Sequence, residues 1–217
     1  LAGQWTPTRN RGVLKCVLEQ LTDPIEWRDN MADRSRVASE LLGGLEFFPE
    51  LDLSQGIAPF RSADTSRPLM PVPPGLEAVQ ITSQMVSGAL GDPPLRLAIF
   101  TPPGSPKFRR PAVLHLHGGG YVFGDTDISS GTCRLVAIQH ACVVVSVDYR
   151  LAPETIWPGA LHDCYAALCW LCDNSTNLNI DPLRIAVMGE SAGGGHAAAL
   201  ALHVRDHGGP KVRLLLL

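Results

Sequence analysis

One short turn constrains this chain more than any other feature. The apolar run Arg184-Ile185-Ala186-Val187-Met188 leads directly into Gly189-Glu190-Ser191-Ala192-Gly193, and the alanine-rich stretch Ala197 to Ala201 follows. The run has the length and composition of a buried strand, and the alanine-rich stretch those of a helix. A G-x-S-x-G sequence at such a junction forms a sharp strand-to-helix turn that pushes the serine hydroxyl into the open. The requirement is steric: side chains at 189 and 193 would crowd the turn, whereas glycine accepts strained backbone angles without a Cβ penalty. The five residues recur by chance in many proteins. Their place between strand and helix gives them weight.

A second feature lies upstream. Pro111-Ala112-Val113-Leu114-His115-Leu116 reads as a short buried strand that runs into His117-Gly118-Gly119-Gly120-Tyr121. Three successive glycines at a strand end leave backbone N–H groups unshielded and free to face an anion. Acyl transfer passes through a tetrahedral intermediate with negative charge on oxygen, and a preorganised donor aimed at that charge contributes on the order of 3–4 kcal/mol. The donors expected here are the N–H groups of Gly119 and Gly120 together with that of Ala192, next to the candidate nucleophile Ser191. Taken alone, a glycine triplet also suits a flexible loop. Paired with a well-placed serine turn it points to an oxyanion hole.

The rest of the chain supplies a frame for both features. Apolar alternation over 77–86 and from Leu95 to Phe100 predicts two strands joined by a turn at Gly88 and Gly91-Asp92-Pro93-Pro94. Strand 111–116, helix 129–140, strand 142–147, helix 159–172, strand 184–188, helix 191–206 and strand 212–217 follow. Strands alternating with helices predict an α/β fold with a mainly parallel sheet and helices on both faces. Ligands in such sheets sit beyond the C-terminal ends of the strands, where both features fall. Residues 1–75 read differently. Val13 to Leu21 and Met31 to Leu45 have helical spacing, and Pro59, Pro68, Pro71, Pro73 and Pro74 exclude a regular helix over 59–75. The expected organisation is a helical and proline-rich region over 1–75 and an α/β core over 76–217.

Three segments together, His117-Gly-Gly-Gly-Tyr121, Asp148-Tyr-Arg-Leu-Ala-Pro-Glu154 and Gly189-Glu-Ser-Ala-Gly-Gly194, resemble the hormone-sensitive-lipase-like branch of the α/β-hydrolases. The resemblance covers roughly residues 76–217 and implies a carboxylesterase or lipase acting on esters of short to medium acyl chains through an acyl-enzyme. It implies no cofactor. It assigns the 148–154 segment a supporting place beside the cleft, with Arg150 and Glu154 expected as an internal ion pair. It also suggests that residues 1–75 form an N-terminal helical cap that helps shape the acyl pocket, although the residues themselves fit a plain packing role equally. Tyr121 and Phe123 are candidates for the pocket wall or for ordinary aromatic packing. Amidase or deacetylase action uses the same machinery. A receptor that binds a small ligand without turnover is the alternative on this scaffold, and the intact glycines and serine favour an enzyme.

The triad of this fold runs in the order Ser, Asp or Glu, His, and the candidates after Ser191 are His196, His203, Asp206 and His207. His196 follows five residues after the serine on the same helix and points away from the tip of the turn. At 1.5 Å per residue His207 lies about 24 Å along the axis. Histidines near a helix C-terminus are instead expected at the surface, where the macrodipole favours them. Val212 to Leu217 reads as a strand without a terminating turn, and the chain begins at Leu1. The expectation is a fragment in which the C-terminal part of the fold, with the acid and base, is absent, and which is inert by itself.

Composition excludes other classes. With a net charge of −3, 45% hydrophobic and 18% charged residues, the chain has no electrostatic reason to bind nucleic acid. No apolar stretch reaches the roughly 20 residues of a membrane span. His115 and His117 lack a carboxylate or thiol at ligand spacing, so no metal is expected. Cys169-Trp170-Leu171-Cys172 stands late in a helix, where a redox motif would open one. The six cysteines therefore read as free thiols in a reducing, cytoplasmic compartment. Dimers occur in this branch, and nothing in the residues requires one.

Overall fold

The computed structural model describes residues 37–47, 56–58, 61, 72–89 and 91–217. The chain divides into two compact units, Leu1–Asp52 and Leu53–Leu217. The helix expected from Val13 to Leu21, with Cys16, lies outside the described residues, as do Pro59, Pro68 and Pro71. Of the second expected helix, the described part is a 3-10 helix over Ser39–Phe47. Gly43 and Gly44 stand in its middle, and paired glycines lower α-helical propensity by about 1 kcal/mol each.

Among the described residues the second unit holds six strands: β1 (Gln80–Val86), β2 (Leu95–Thr101), β3 (Arg110–Leu116), β4 (Val143–Val147), β5 (Ile180–Gly189) and β6 (Leu214–Leu216). The helices α1 (Ser130–His140), α2 (Gly159–Asp173) and α3 (Ala192–His207) alternate with the later strands. The sheet order is β1-β2-β4-β3-β5-β6. β4, β3, β5 and β6 run parallel, and the hairpin β1–β2 joins β4 antiparallel. The expected mainly parallel sheet is therefore what forms, with an antiparallel edge.

Period-two alternation sends successive side chains to opposite faces, and the two faces build separate cores. Leu114, Leu116, Val143, Val145, Val147, Ile185 and Val187 pack on one face with α2 and α3, through Leu161, Leu168, Leu171, Ala197 and Leu200. Val113, Val144, Ala98 and Phe100 pack on the other with Cys133 and Ala137 of α1. Strands β3 and β4 read as continuous apolar runs because both of their faces are covered. Helix α3 ends at Gly208, whose φ of 71° places it in the left-handed region and whose N–H closes on the Val204 carbonyl.

The ion pair expected between Arg150 and Glu154 does not form. Arg150 instead grips Asp163 of α2 with a fork, Nε and one terminal nitrogen each 2.8 Å from a carboxylate oxygen, and reaches Asp92 at 3.0 Å. The Asp163 side chain is 1% exposed, whereas Glu154 is 66% exposed and pairs with Arg61 at 2.8 Å. A buried carboxylate must have a partner and an exposed one need not, so the guanidinium is drawn inward. Replacing Arg150 by alanine strands that carboxylate. The expected loss is about 3–5 kcal/mol of unfolding free energy, read from urea denaturation, with R150K recovering only part because lysine cannot supply the fork.

Candidate active site

Strands β3 and β5 are neighbours in parallel register, with Leu116 opposite Gly189. The glycine loop and the serine turn consequently leave the sheet side by side at the same end. A Cβ placed on Gly118 would lie 3.1 Å from the Glu190 carbonyl oxygen and 3.6 Å from the Ser191 Cβ. Loop and turn are in contact.

The turn itself is tight. Ser191 has φ 53° and ψ −117°, a conformation that costs a non-glycine residue on the order of 1–3 kcal/mol. The Gly193 N–H closes on the Glu190 carbonyl at 2.9 Å, and the Glu190 N–H reaches back to the Leu116 carbonyl at 3.4 Å. A Cβ on Gly189 would collide with the Gly193 carbonyl, and one on Gly193 with the carbonyls of Leu116 and His117. The two outer glycines of the motif are thus required by backbone-to-backbone approach.

The loop turns through three consecutive residues with positive φ: Gly119 at 130°, Gly120 at 60° and Tyr121 at 66°. The Gly119 carbonyl accepts from the N–H groups of Val122 (3.0 Å) and Phe123 (2.8 Å). Among the described residues, no acceptor is paired with the N–H groups of Gly119, Gly120 or Ala192. Ala192 is the first residue of α3, so its N–H adds the positive end of the helix dipole to the group. The three expected donors thus have no partner of their own, Ala192 directly after the serine and Gly119 and Gly120 in the loop that touches its turn.

Rings hold the loop from beneath. His117 stacks on Tyr149, centroids 4.1 Å apart and 9° from parallel, and the Tyr149 hydroxyl donates to the His117 carbonyl at 2.6 Å. His196 meets Tyr149 and Tyr121 edge to face at 4.7 and 4.9 Å. The 148–154 segment therefore supports the loop through Tyr149 and through the Ala152 N–H, which donates to the Tyr121 carbonyl. His196 is 5% exposed, a buried packing residue that its helical spacing alone does not reveal. His203 and His207 stack on each other at the far end of α3, 4.2 Å apart.

Tyr121 and His196, with Ile156 and Trp157, line a cavity of about 280 Å³. Phe123 is not part of that wall. His115, fully buried, places Nδ1 2.8 Å from the Ser146 hydroxyl and Nε2 3.5 Å from a Glu190 carboxylate oxygen. This contact holds the Glu190 carboxyl below the ordinary glutamate value. His115 and His117 face different partners, and among the described residues no three His, Cys, Asp or Glu side chains stand close enough to hold a metal ion.

Residues 113–217 match the alpha/beta hydrolase fold family. The chain has the α/β-hydrolase fold. It is 41% identical to esterase LipI of Mycobacterium tuberculosis over 192 residues, covering 87% of this chain and 58% of that protein. It is 40% identical to carboxylesterase NlhH of the same species over 212 residues, covering 97% and 58%. Among solved structures, a bacterial heroin esterase superposes with a TM-score of 0.70 at 35% identity, covering 82% of this chain and 56% of that one. The chain thus spans just over half the length of these relatives. Among the described residues, no histidine or carboxylate is hydrogen-bonded to the Ser191 hydroxyl.

Two outcomes follow for this α/β-hydrolase fold. Gly193→Ala drives a methyl group into two carbonyl oxygens that cannot retreat without parting β3 from the turn. It is expected to cost about 3 kcal/mol or more, measured by denaturant unfolding, while Gly131→Ala, where a Cβ meets nothing within 4 Å, is neutral or stabilising. Burial holds the pKa of His117 and His196 below the ordinary histidine value. The unfolded chain then binds more protons in the window between the two values. Stability is accordingly full above the ordinary histidine pKa and declines as the pH falls through it. Thermal melts from pH 8 to pH 5 should show this decline, flattened in His196→Phe.

Proposed function

We propose that the protein is a serine carboxylesterase in which Ser191 is the nucleophile and the N–H groups of Gly119, Gly120 and Ala192 form the oxyanion hole. The single observation that supports this reading is the contact between glycine loop and serine turn, which brings the strand end that carries the unpaired loop amides against the turn that carries Ser191. An ester carbonyl entering between loop and turn meets the Ser191 Oγ at carbon and the amides at oxygen. Negative charge then develops where donors already point, so no reorganisation is needed at the moment of reaction. The alcohol leaves with a proton, an acyl group remains on Ser191, and water cleaves it in a second cycle through the same hole.

The serine needs a base to take its proton. Chain order in this fold puts the acid and then the histidine after the nucleophile, and we assign both to positions C-terminal of Ser191 in the whole protein. The names of the relatives support esters as substrates, and the resemblance supports short to medium acyl chains. Residues 1–75 are read as the cap region and 76–217 as the hydrolase core. The thiols of Cys133, Cys142, Cys164, Cys169 and Cys172 are all free, which supports a reducing, cytoplasmic setting. No helix among the described residues is long and apolar enough to cross a membrane.

The product of the complete gene is expected to react with a fluorophosphonate probe at Ser191 and to hydrolyse p-nitrophenyl butyrate. Ser191→Ala should abolish labelling and lower kcat by roughly 10⁵-fold or more. Labelling that survives the substitution, or turnover unchanged by it, would refute the assignment.

A further inference from the structure

The loop that carries the expected oxyanion donors is strained and makes few hydrogen bonds of its own. Beyond the two bonds onto the Gly119 carbonyl and the Tyr149 hydroxyl on the His117 carbonyl, its backbone is tied to the rest of the unit at two adjacent carbonyls. The Tyr121 carbonyl accepts from the N–H of Ala152 at 2.9 Å. The Val122 carbonyl accepts from Nε of Arg61 at 2.8 Å. The same guanidinium donates a second bond to the Ala152 carbonyl at 2.5 Å and a third to Glu154 at 2.8 Å. Arg61, Val122, Tyr121 and Ala152 thereby close a ring of hydrogen bonds. One residue of the proline-rich segment spans the loop and the 152–154 turn, and its side chain is 28% exposed.

From this geometry we infer that Arg61 is the positioning residue of the oxyanion loop. The inference rests on the hydrolase reading above. Arg61 touches neither Ser191 nor the space before it. It acts through Val122, whose N–H is bonded to the Gly119 carbonyl, and so fixes the peptide planes that orient the Gly119 and Gly120 amides. Two of the three residues with positive φ, Gly119 and Gly120, are glycines, which move freely between conformations, so the loop depends on the bonds that tie it down. A planar fork can bind two carbonyls at a set distance, and an ammonium cannot. Glu154, outside the ring, orients the guanidinium without touching the loop.

The test uses the product of the complete gene with Arg61→Ala and Arg61→Lys. The lysine variant retains the charge facing Glu154 and carries the test where the alanine variant does not accumulate. A donor displaced by about an ångström loses roughly 10²-fold in rate, so both variants should show kcat for p-nitrophenyl butyrate reduced by about that factor. KM should stay within about threefold, as for an interaction made only in the transition state. Affinity for a trifluoromethyl ketone, which forms a tetrahedral adduct on the serine, should fall in parallel with kcat. Amides of residues 119–123 should exchange faster with deuterium while those of β3 and α3 do not, and added guanidinium ion should restore part of kcat to R61A but not to R61K. A kcat within about twofold of wild type, or a rise in KM with kcat unchanged, overturns the inference and leaves the esterase reading standing. A wild-type protein that a fluorophosphonate does not label at Ser191 overturns both.

Discussion

The parallel pairing of β3 with β5 is the constraint on which the candidate site depends. Leu116 stands opposite Gly189, so the two strands release their chains at one level. A shift of one residue would turn every β5 side chain to the other face and move Ser191 away from the loop. Register is protected because both faces are buried: Leu114, Leu116, Ile185 and Val187 belong to one core, and Val113 with its neighbours to the other. The approach of Gly193 to the Leu116 and His117 carbonyls follows from this register. Packing between two strands thus determines the distance between two chemical groups.

Buried and half-buried arginines perform a comparable task for the connections. Arg150 joins the 148–154 segment to α2 and to Asp92, and Arg96 joins β2 to Asp127 at 2.7 Å and Asp148 at 3.2 Å. Arg110 reaches the carbonyls of Pro103 and Gly104, and Arg134 those of Leu76 and Val79. Loops carry unpaired carbonyls that neither helix nor sheet satisfies. A guanidinium answers several at once, with donors in a fixed plane. The segments around the site are therefore held by directional bonds where they lack the apolar area to pack.

Local pattern made the strands and helices readable. Alternation, apolar runs and glycine signals placed β2, β3, β4, α2 and α3 within a few residues of where they form, because these elements obey the periodicities of a covered sheet. The serine turn and glycine loop were readable for a different reason: both demand glycine at particular positions. Relations between distant side chains were not readable. The segment pattern alone suggests pairing Arg150 with Glu154, yet burial decides such pairings and selects Asp163, which sits on another element. His196 likewise gave no signal of its place between two tyrosines, since three rings from three segments meet there. Arg61 stands among prolines with no period around it. Its partners are 61 and 91 residues away.

These side-chain relations bear on the chemistry because the site is strained on both halves. Ser191 and Tyr121 occupy left-handed backbone conformations at φ 53° and 66°, each unfavourable by on the order of 1–3 kcal/mol for a residue with a Cβ. Such angles persist only where the surroundings leave no alternative. On the serine side the surroundings are backbone: the carbonyls packed against Gly193, and the helix that begins at Ala192. On the loop side they are side chains, with Tyr149 beneath the His117 carbonyl, His196 against the Tyr121 ring and Arg61 on Val122. The first half is encoded within five consecutive residues and is recognisable as a motif. The second half is assembled from four separated segments, so relatives that retain the glycines can vary its supports. Differences in rate among them are then to be sought in the residues that hold the loop, because the donors themselves belong to the backbone and cannot be exchanged.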